Sequence, residues 1–329
     1  MSIFIEPDFT SDYKRCPLAL VDVGASGGLE SNWAAATEHL RVIAFDADER
    51  AFGGAKTDDG RRIVLNVGLH NQKGSLVFYQ TRKERVSSIF RPNRDFLNRF
   101  NCPERFDVLE TKTISVDTLD NQLREHEIAN VDFIKVDTQG SELFVLQGAI
   151  EILRSKAFGV EVEVEFAEMY ENQPLFADVD KFLRAIGFQL LDLKLCHMKR
   201  AAGKQWGYRK GQLIYGDALY LKDFRGLGMI LQGLPETEQG GKVLRALSIC
   251  FLYGYFDFAL EIFEHEQHLF DDKQSAAILN RIKSTRSLSS RIPMFRGRQR
   301  LANVLARLSE VVKPTKASGT TSQKHLGNL

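Results

Sequence analysis

Leu18–Val23 is a short apolar run that ends in a glycine turn, Gly24–Gly28, and an alanine-rich segment with helical spacing, Glu30–Leu40, follows it. Arg41–Asp46 and Arg62–Val67 read as second and third strands, so the chain opens in the order βαβαβ. That order is restrictive. Parallel strands need long crossover connections, and a sheet built from them must be covered by helices on both faces.

The pattern continues downstream. A hairpin-like insertion around Gly74–Gln80 and a polar loop lead to a fourth strand at Val131–Val136, a helix over Glu142–Leu153 and a fifth strand at Phe158–Phe166. A helix over Val179–Ile186, a strand over Phe188–Leu193 and a last strand over Gln212–Leu221 complete a mostly parallel sheet. Beyond Arg225 the strand signal stops. Lys242–Gln267 reads as two amphipathic helices joined by a tight turn at Tyr253–Tyr255. Gly254, Phe256, Ala259, Leu260 and Phe263 have the spacing of one tetratricopeptide hairpin; a free-standing solenoid needs about three, so this unit is expected to dock on the main domain. The expected division is an N-terminal arm (1–17), an α/β domain (18–225), a helical hairpin unit (226–283) and a basic, partly disordered tail (284–329) whose last dozen residues are disordered.

Charge supports a separate tail. From Arg281 onward the chain holds eleven basic residues against one acid, Glu310, a charge of +10; with the whole chain at +1, the preceding 280 residues hold −9. A hydrophobic share of 43% is ample for a core, and no apolar run approaches the roughly 20 residues that span a bilayer. The N-terminus lacks the basic flank and cleavage site of a secretory signal, and Cys16, Cys102, Cys196 and Cys250 form no C-x-x-C pair. A cytoplasmic protein, peripheral at most to the inner membrane face, is the expectation.

The glycine turn sits where a strand hands over to a helix, a place where backbone N–H groups can meet a ligand carboxylate. Ser26 occupies the position at which G-x-G-x-x-G requires its second glycine, which argues against a pyrophosphate. Asp46 closes the second strand 22 positions after Gly24, where a carboxylate can accept both ribose hydroxyls of an adenosine ligand. The candidate cofactor-binding residues are thus Asp22, Gly24, Ala25, Ser26, Gly27, Gly28 and Asp46. The bland alternative is a simple chain reversal with Asp46 capping the next helix.

Further segments extend the pattern that begins at this turn. Leu20–Gly28, Ala44–Asp46, Val86–Asn93, Val116–Asp120, Asp132–Leu143 and Val162–Phe166 together resemble the FkbM family of S-adenosylmethionine-dependent methyltransferases, and Tyr170–Phe176 and Phe182–Phe188 are similar to one branch of it. Ser26 stands where asparagine is common, and Thr138 and Ser141 replace frequent hydrophobic and alanine residues. The resemblance implies a doubly wound, mostly parallel, seven-stranded class I methyltransferase sheet over 18–225, its last strand antiparallel, with a small C-terminal helical appendage. It also implies S-adenosyl-L-methionine as cofactor and a hydroxyl of a sugar, glycan or natural product as acceptor.

Methyl transfer from a sulfonium requires alignment of the acceptor oxygen and management of its proton. Lys135 and Asp137, two apart at the end of the fourth strand, share one face beside the crevice of a doubly wound fold. Asp137 would orient the acceptor hydroxyl or the cofactor amino group, and Lys135 would tune its charge or act as base; a structural Lys–Asp pair is the other reading. Glu161, Glu163 and Glu165 alternate with valines and point one way, which is costly unless that face meets water or substrate, so Glu163 and Glu165 join the catalytic candidates. Ser87, Ser88, Gln139, Glu142, Tyr170 and Gln173 are candidate substrate contacts, Glu142 alternatively serving its helix N-terminus. No metal site is expected: His265 and His268 lack a third ligand, and His197 reads as a loop residue.

The rival class is a non-catalytic interaction protein that recruits a partner through its helical unit. Candidate partners are a small-molecule or glycan hydroxyl substrate, a second copy of the chain, and an anionic membrane surface met by the basic tail, where Leu301, Val304, Leu305 and Leu308 form an apolar stripe. Nucleic acid is not expected, since the tail has no tyrosine or tryptophan for stacking.

Overall fold

The apolar runs become strands because their side chains are taken out of water on both faces. A computed structural model describes residues 7–25, 28–29, 31–48, 50, 61–206, 211–284, 293, 295–312, 320–322 and 326. The strands that matter are β1 (Leu18–Val23), β2 (Leu40–Phe45), β3 (Arg62–Leu65), β4 (Gly68–Leu69), β5 (Gly74–Thr81), β6 (Val108–Asp117), β7 (Phe133–Val136), β8 (Gly159–Glu165), β9 (Phe188–Met198), β10 (Gln212–Lys222) and β11 (Thr320–Ser322). The main sheet has the order β11-β9-β10-β8-β7-β1-β2-β3, with β10 antiparallel to β8 and β9 and the run from β8 to β3 parallel. Seven of these strands make the expected α/β sheet, and β11 adds an edge.

Alternation sorts the sheet into two faces. Two helices, α1 (Pro7–Arg15) and α2 (Arg94–Leu97), come earlier in the chain; Val21, Val23, Ile134, Val136, Val160, Val162 and Val164 pack against the helices α3 (Leu119–Glu125), α4 (Glu142–Gln147), α5 (Ile150–Ser155) and α6 (Phe176–Ala185). Leu18, Leu20, Phe133, Leu219 and Leu221 turn the other way, toward α7 (Phe224–Gln232), α8 (Glu236–Leu252), α9 (Phe256–Glu266) and α10 (Asp272–Ser284). Trp33 locks this second layer, its ring centroid 5.1 Å from Phe133 and 6.2 Å from Tyr253 in the α8–α9 turn. The C-terminal helices therefore share one core with the sheet.

Local expectations change where packing overrides pattern. The segment after the glycine turn is a 3₁₀ helix, Ser31–His39, because its buried residues Trp33 and Ala36 lie three apart and line up at three residues per turn. The helix expected over Glu142–Leu153 breaks into α4 and α5 at Gly148, where a Cβ would come within 2.1 Å of the His70 carbonyl oxygen. The sixth expected strand runs on to Met198, since Lys194 meets Asp217 on β10 at 2.6 Å and the antiparallel ladder continues. His197 consequently lies within a strand rather than a loop. The insertion is larger than a hairpin: β5 pairs with β6, a mostly exposed strand, and with β4 they form a second sheet of order β4-β6-β5. Near the chain end, β11 pairs with β9 and Leu326 is buried, so the described part of the last dozen residues is tied to the body. No helix among the described residues is long and apolar enough to cross a membrane.

One buried charge cluster fastens the layers. Asp132, just before β7, accepts hydrogen bonds from Lys242 Nζ (2.6 Å), Arg245 Nε (3.0 and 3.1 Å) and the Ala19 amide (2.9 Å). Burial alone would raise the Asp132 pKa, but the Arg245 guanidinium and the Lys242 ammonium hold it at about 2. Its folded value lies below the ordinary one, so the stabilisation is complete above about pH 4 and is lost as the pH falls toward 2. Asp132→Asn, which leaves two buried cations unpaired, is expected to cost about 3–5 kcal/mol in urea unfolding at pH 7. A loss below about 1 kcal/mol would show that the cluster does not hold the layers together.

Candidate functional site

The end of β1 lies against the end of β7. In-register pairing sets Asp22 opposite Lys135, and the Asp137 amide donates to the Val23 carbonyl at 2.9 Å. Gly24 follows with φ +81°, and a Cβ there would sit 1.8 Å from the Asp137 carbonyl oxygen. Only glycine allows this approach. Beside the turn opens a cavity of about 930 Å³, mouth included, with Gly24, Asp46, Lys135, Asp137, Gln139 and Ser87 on its wall. The turn, the acid ending β2 and the pair ending β7 thus converge. Asp22 is buried, 3.9 Å from Lys135 Nζ; Asp22, Ala25 and Gly28 are not on the wall. Ser26 and Gly27 lie outside the described residues.

The opposite wall comes from residues that the sequence pattern did not single out. Phe78, Ile114 and Val116 of the second sheet, together with Leu69 and Ile89, give it an apolar lining. Asp48 is also there, buried and bound to Arg50 Nε at 2.9 Å. Burial works to raise the Asp48 pKa, but hydrogen bonds and charge from Arg50 bring it below the ordinary value. An apolar slot, a ribose-type carboxylate at Asp46 and a turn without side chain at Gly24 suit an adenosine ligand with a small charged arm.

Next to Asp137 stands a group of acids joined by Gln139. Its amide nitrogen donates to Asp137 Oδ1 (2.8 Å) and to Glu163 Oε2 (2.6 Å), while its amide oxygen accepts from the Tyr170 hydroxyl (3.1 Å). Ser88 Oγ donates to the Gln139 carbonyl at 2.7 Å. Gln139 sits at φ +60°, a left-handed conformation costing a non-glycine residue about 1–2 kcal/mol, so these contacts hold a strained residue in place. Glu142 folds back on the same turn and accepts from the Thr138 amide (2.8 Å) and the Gly140 amide (2.9 Å). Gln173 accepts from the Tyr170 amide at 2.6 Å, and its side chain packs 3.4 Å from where a Gly140 Cβ would lie.

Glu142 and Glu165 are buried and Glu163 half-buried, and oxygens of the three lie within 4.8 Å of one another. A small cation with oxygen preference could touch all three, an arrangement that acids separated by twenty residues do not announce. Burial first, then the Asp137 charge, raises Glu142 to about 7. Burial and the neighbouring carboxylates push Glu163 and Glu165 well above the ordinary range. Glu161, the third acid of the alternation, is taken up by the Tyr253 hydroxyl at 2.5 Å, under the helical layer. His265 stacks on Phe224 with centroids 3.7 Å apart and is not among the residues grouped with these acids.

The FkbM methyltransferase domain model matches residues 22–190, just over half of the chain and all the site residues described above. This chain belongs to the FkbM methyltransferase family. Among curated proteins, none matches it. Among solved structures, methyltransferase FkbM from Methylobacillus flagellatus KT is similar at 17% identity and a TM-score of 0.36, over 62% of this chain and 43% of that one. The chain therefore spans less than half the length of that relative. A Streptococcus pneumoniae protein described as a candidate tRNA (m1A22) methyltransferase is similar at 13% identity and a TM-score of 0.30, over 84% of this chain and 99% of that one.

In this FkbM-family chain the clustered acids oppose folding at alkaline pH. A carboxyl whose folded pKa is raised is most favourable below its unfolded value near 4.3, and its contribution falls as the pH rises through the folded value. Glu165→Gln removes one such group. The variant is expected to melt above the parent protein at pH 8, with the difference shrinking toward pH 5. An equal or lower melting temperature at pH 8 would mean that Glu165 carries no uncompensated charge.

Proposed function

We propose that this FkbM-family chain is an O-methyltransferase that uses S-adenosylmethionine and acts on a hydroxyl of a sugar, glycan or natural product. The observation that supports this most is the convergence of Gly24, Asp46, Lys135 and Asp137 on one cavity. Bound S-adenosylmethionine would supply an electrophilic methyl group on a sulfonium. Asp46 would accept hydrogen bonds from ribose hydroxyls, and the Gly24 turn would admit the amino-acid arm without a side chain in its way. Asp137, fixed by Gln139, would orient the acceptor hydroxyl.

Methylation would oblige the acceptor hydroxyl to give up its proton, and the carboxyls beside Asp137 are the groups placed to take it. Glu163 is the base this geometry favours. It shares the Gln139 amide with Asp137, and burial, aided by the Asp137 charge, raises its pKa well above the ordinary carboxyl range, which makes its ionised form a stronger proton acceptor. Lys135, beside Asp22, offsets the acidic surroundings.

Transfer of label from radioactive S-adenosylmethionine to glycans and small molecules extracted from a deletion strain tests this reading. The parent protein is expected to label a hydroxyl-bearing product. Asp46→Ala should weaken S-adenosylhomocysteine binding at least tenfold in calorimetry, and Asp137→Asn should keep that binding while losing about a hundredfold in transfer, the scale of general acid–base assistance. Tight S-adenosylhomocysteine binding with no transfer would make the domain a binding module, and full transfer by Asp137→Asn would remove that residue from the chemistry.

A further inference from the structure

The helix Arg298–Val312 leaves its apolar side bare. Leu301, Val304, Leu305, Leu308 and Val312 recur at intervals of three and four, and each is between 51% and 79% exposed; Phe295, just before, is 50% exposed. Elsewhere in the described residues the exposed large hydrophobics are Leu29, Val77, Val108, Leu109 and Met229, spread over a loop, β5, β6 and α7. Among the described residues, the acidic body therefore offers no apolar patch of matching size for this stripe.

Charge narrows the occupant further. Arg296, Arg298, Arg300 and Arg307 accompany the stripe, and at 100° per residue Arg298 falls on one border of it and Arg300 and Arg307 on the other. A second copy docking on this face would bring two sets of arginines together, a repulsive arrangement. An anionic bilayer meets both requirements at once, because its phosphates take the arginines and its acyl boundary takes the leucines and valines. We propose that Arg298–Val312 is an interfacial helix that lies in the surface of an anionic membrane.

The sheet gives this helix a position relative to the site. Thr320 pairs with Met198, Met198 with Gln212, and Tyr215 with Glu165, so the chain re-enters the sheet at its lateral edge, three strands from β8, on the side where β8 ends at Glu165. Eight residue steps separate Val312 from Thr320, and at up to about 3.6 Å each they reach about 29 Å at most. A docked helix thus keeps Thr320, at the lateral edge of the sheet, within about 29 Å of the bilayer surface.

Flotation of the full-length protein with vesicles tests the proposal, using pure phosphatidylcholine and a mixture with 30 mol% phosphatidylglycerol. The expected result is at least tenfold more protein with the anionic vesicles at 50 mM salt, most of it released at 500 mM. Leu305→Asp/Leu308→Asp should abolish flotation while leaving S-adenosylhomocysteine binding and the melting temperature unchanged. Equal recovery with both vesicle types, or flotation unaffected by the double substitution, would overturn it. So would a concentration-dependent dimer in light scattering that the double substitution dissolves, since the stripe would then be covered by a second copy.

Discussion

Everything at the site depends on how closely two strand ends approach. The backbone after β1 can lie on the Asp137 carbonyl because Gly24 has no Cβ, and any larger residue would meet that oxygen at 1.8 Å. From this one contact the rest follows. β1 and β7 stay in register, Asp22 faces Lys135, and the turn, Asp46 and Asp137 come to share a cavity. Moving the two ends apart would separate Gly24 and Asp46 from Asp137.

The acids beside that contact are arranged against stability. Asp137, Glu142, Glu163 and Glu165 interact with one another, and burial raises the last three. Backbone amides quieten Glu142, and Gln139, itself strained, bridges Asp137 to Glu163. A structural core would resolve such a cluster with cations, as Asp132 does with Lys242 and Arg245 at the far end of β7. The two ends of one strand thus differ: cations neutralise the carboxylate at one, and at the other the carboxyls face one another.

Much of the fold was legible because buried parallel strands must be apolar on both sides and are punctuated by turns. Leu18–Val23 and Val131–Val136 announced themselves in this way, and the polar alternation at Glu161, Glu163 and Glu165 marked the face that departs from the rule. Strands that draw their stability from a neighbour did not: β6 is largely exposed, and β11 sits in a low-complexity segment and exists by pairing with β9. The same holds for the site. Residues at strand ends, Gly24, Asp46, Lys135 and Asp137, could be placed from position alone, whereas Asp48 and Phe78 reach the cavity through long-range packing that leaves no local mark. Gln139 was visible only as a neighbour of Asp137; its bridging role needs Glu163, 24 residues away.

A crystal structure of the protein soaked with S-adenosylhomocysteine would show whether the cavity beside Gly24 takes an S-adenosyl ligand. The ligand is expected with its ribose hydroxyls on Asp46 and its amino-acid arm against the Gly24 turn. Ligand bound away from this cavity, or none at saturating concentration with the cavity open to solvent, would contradict that expectation.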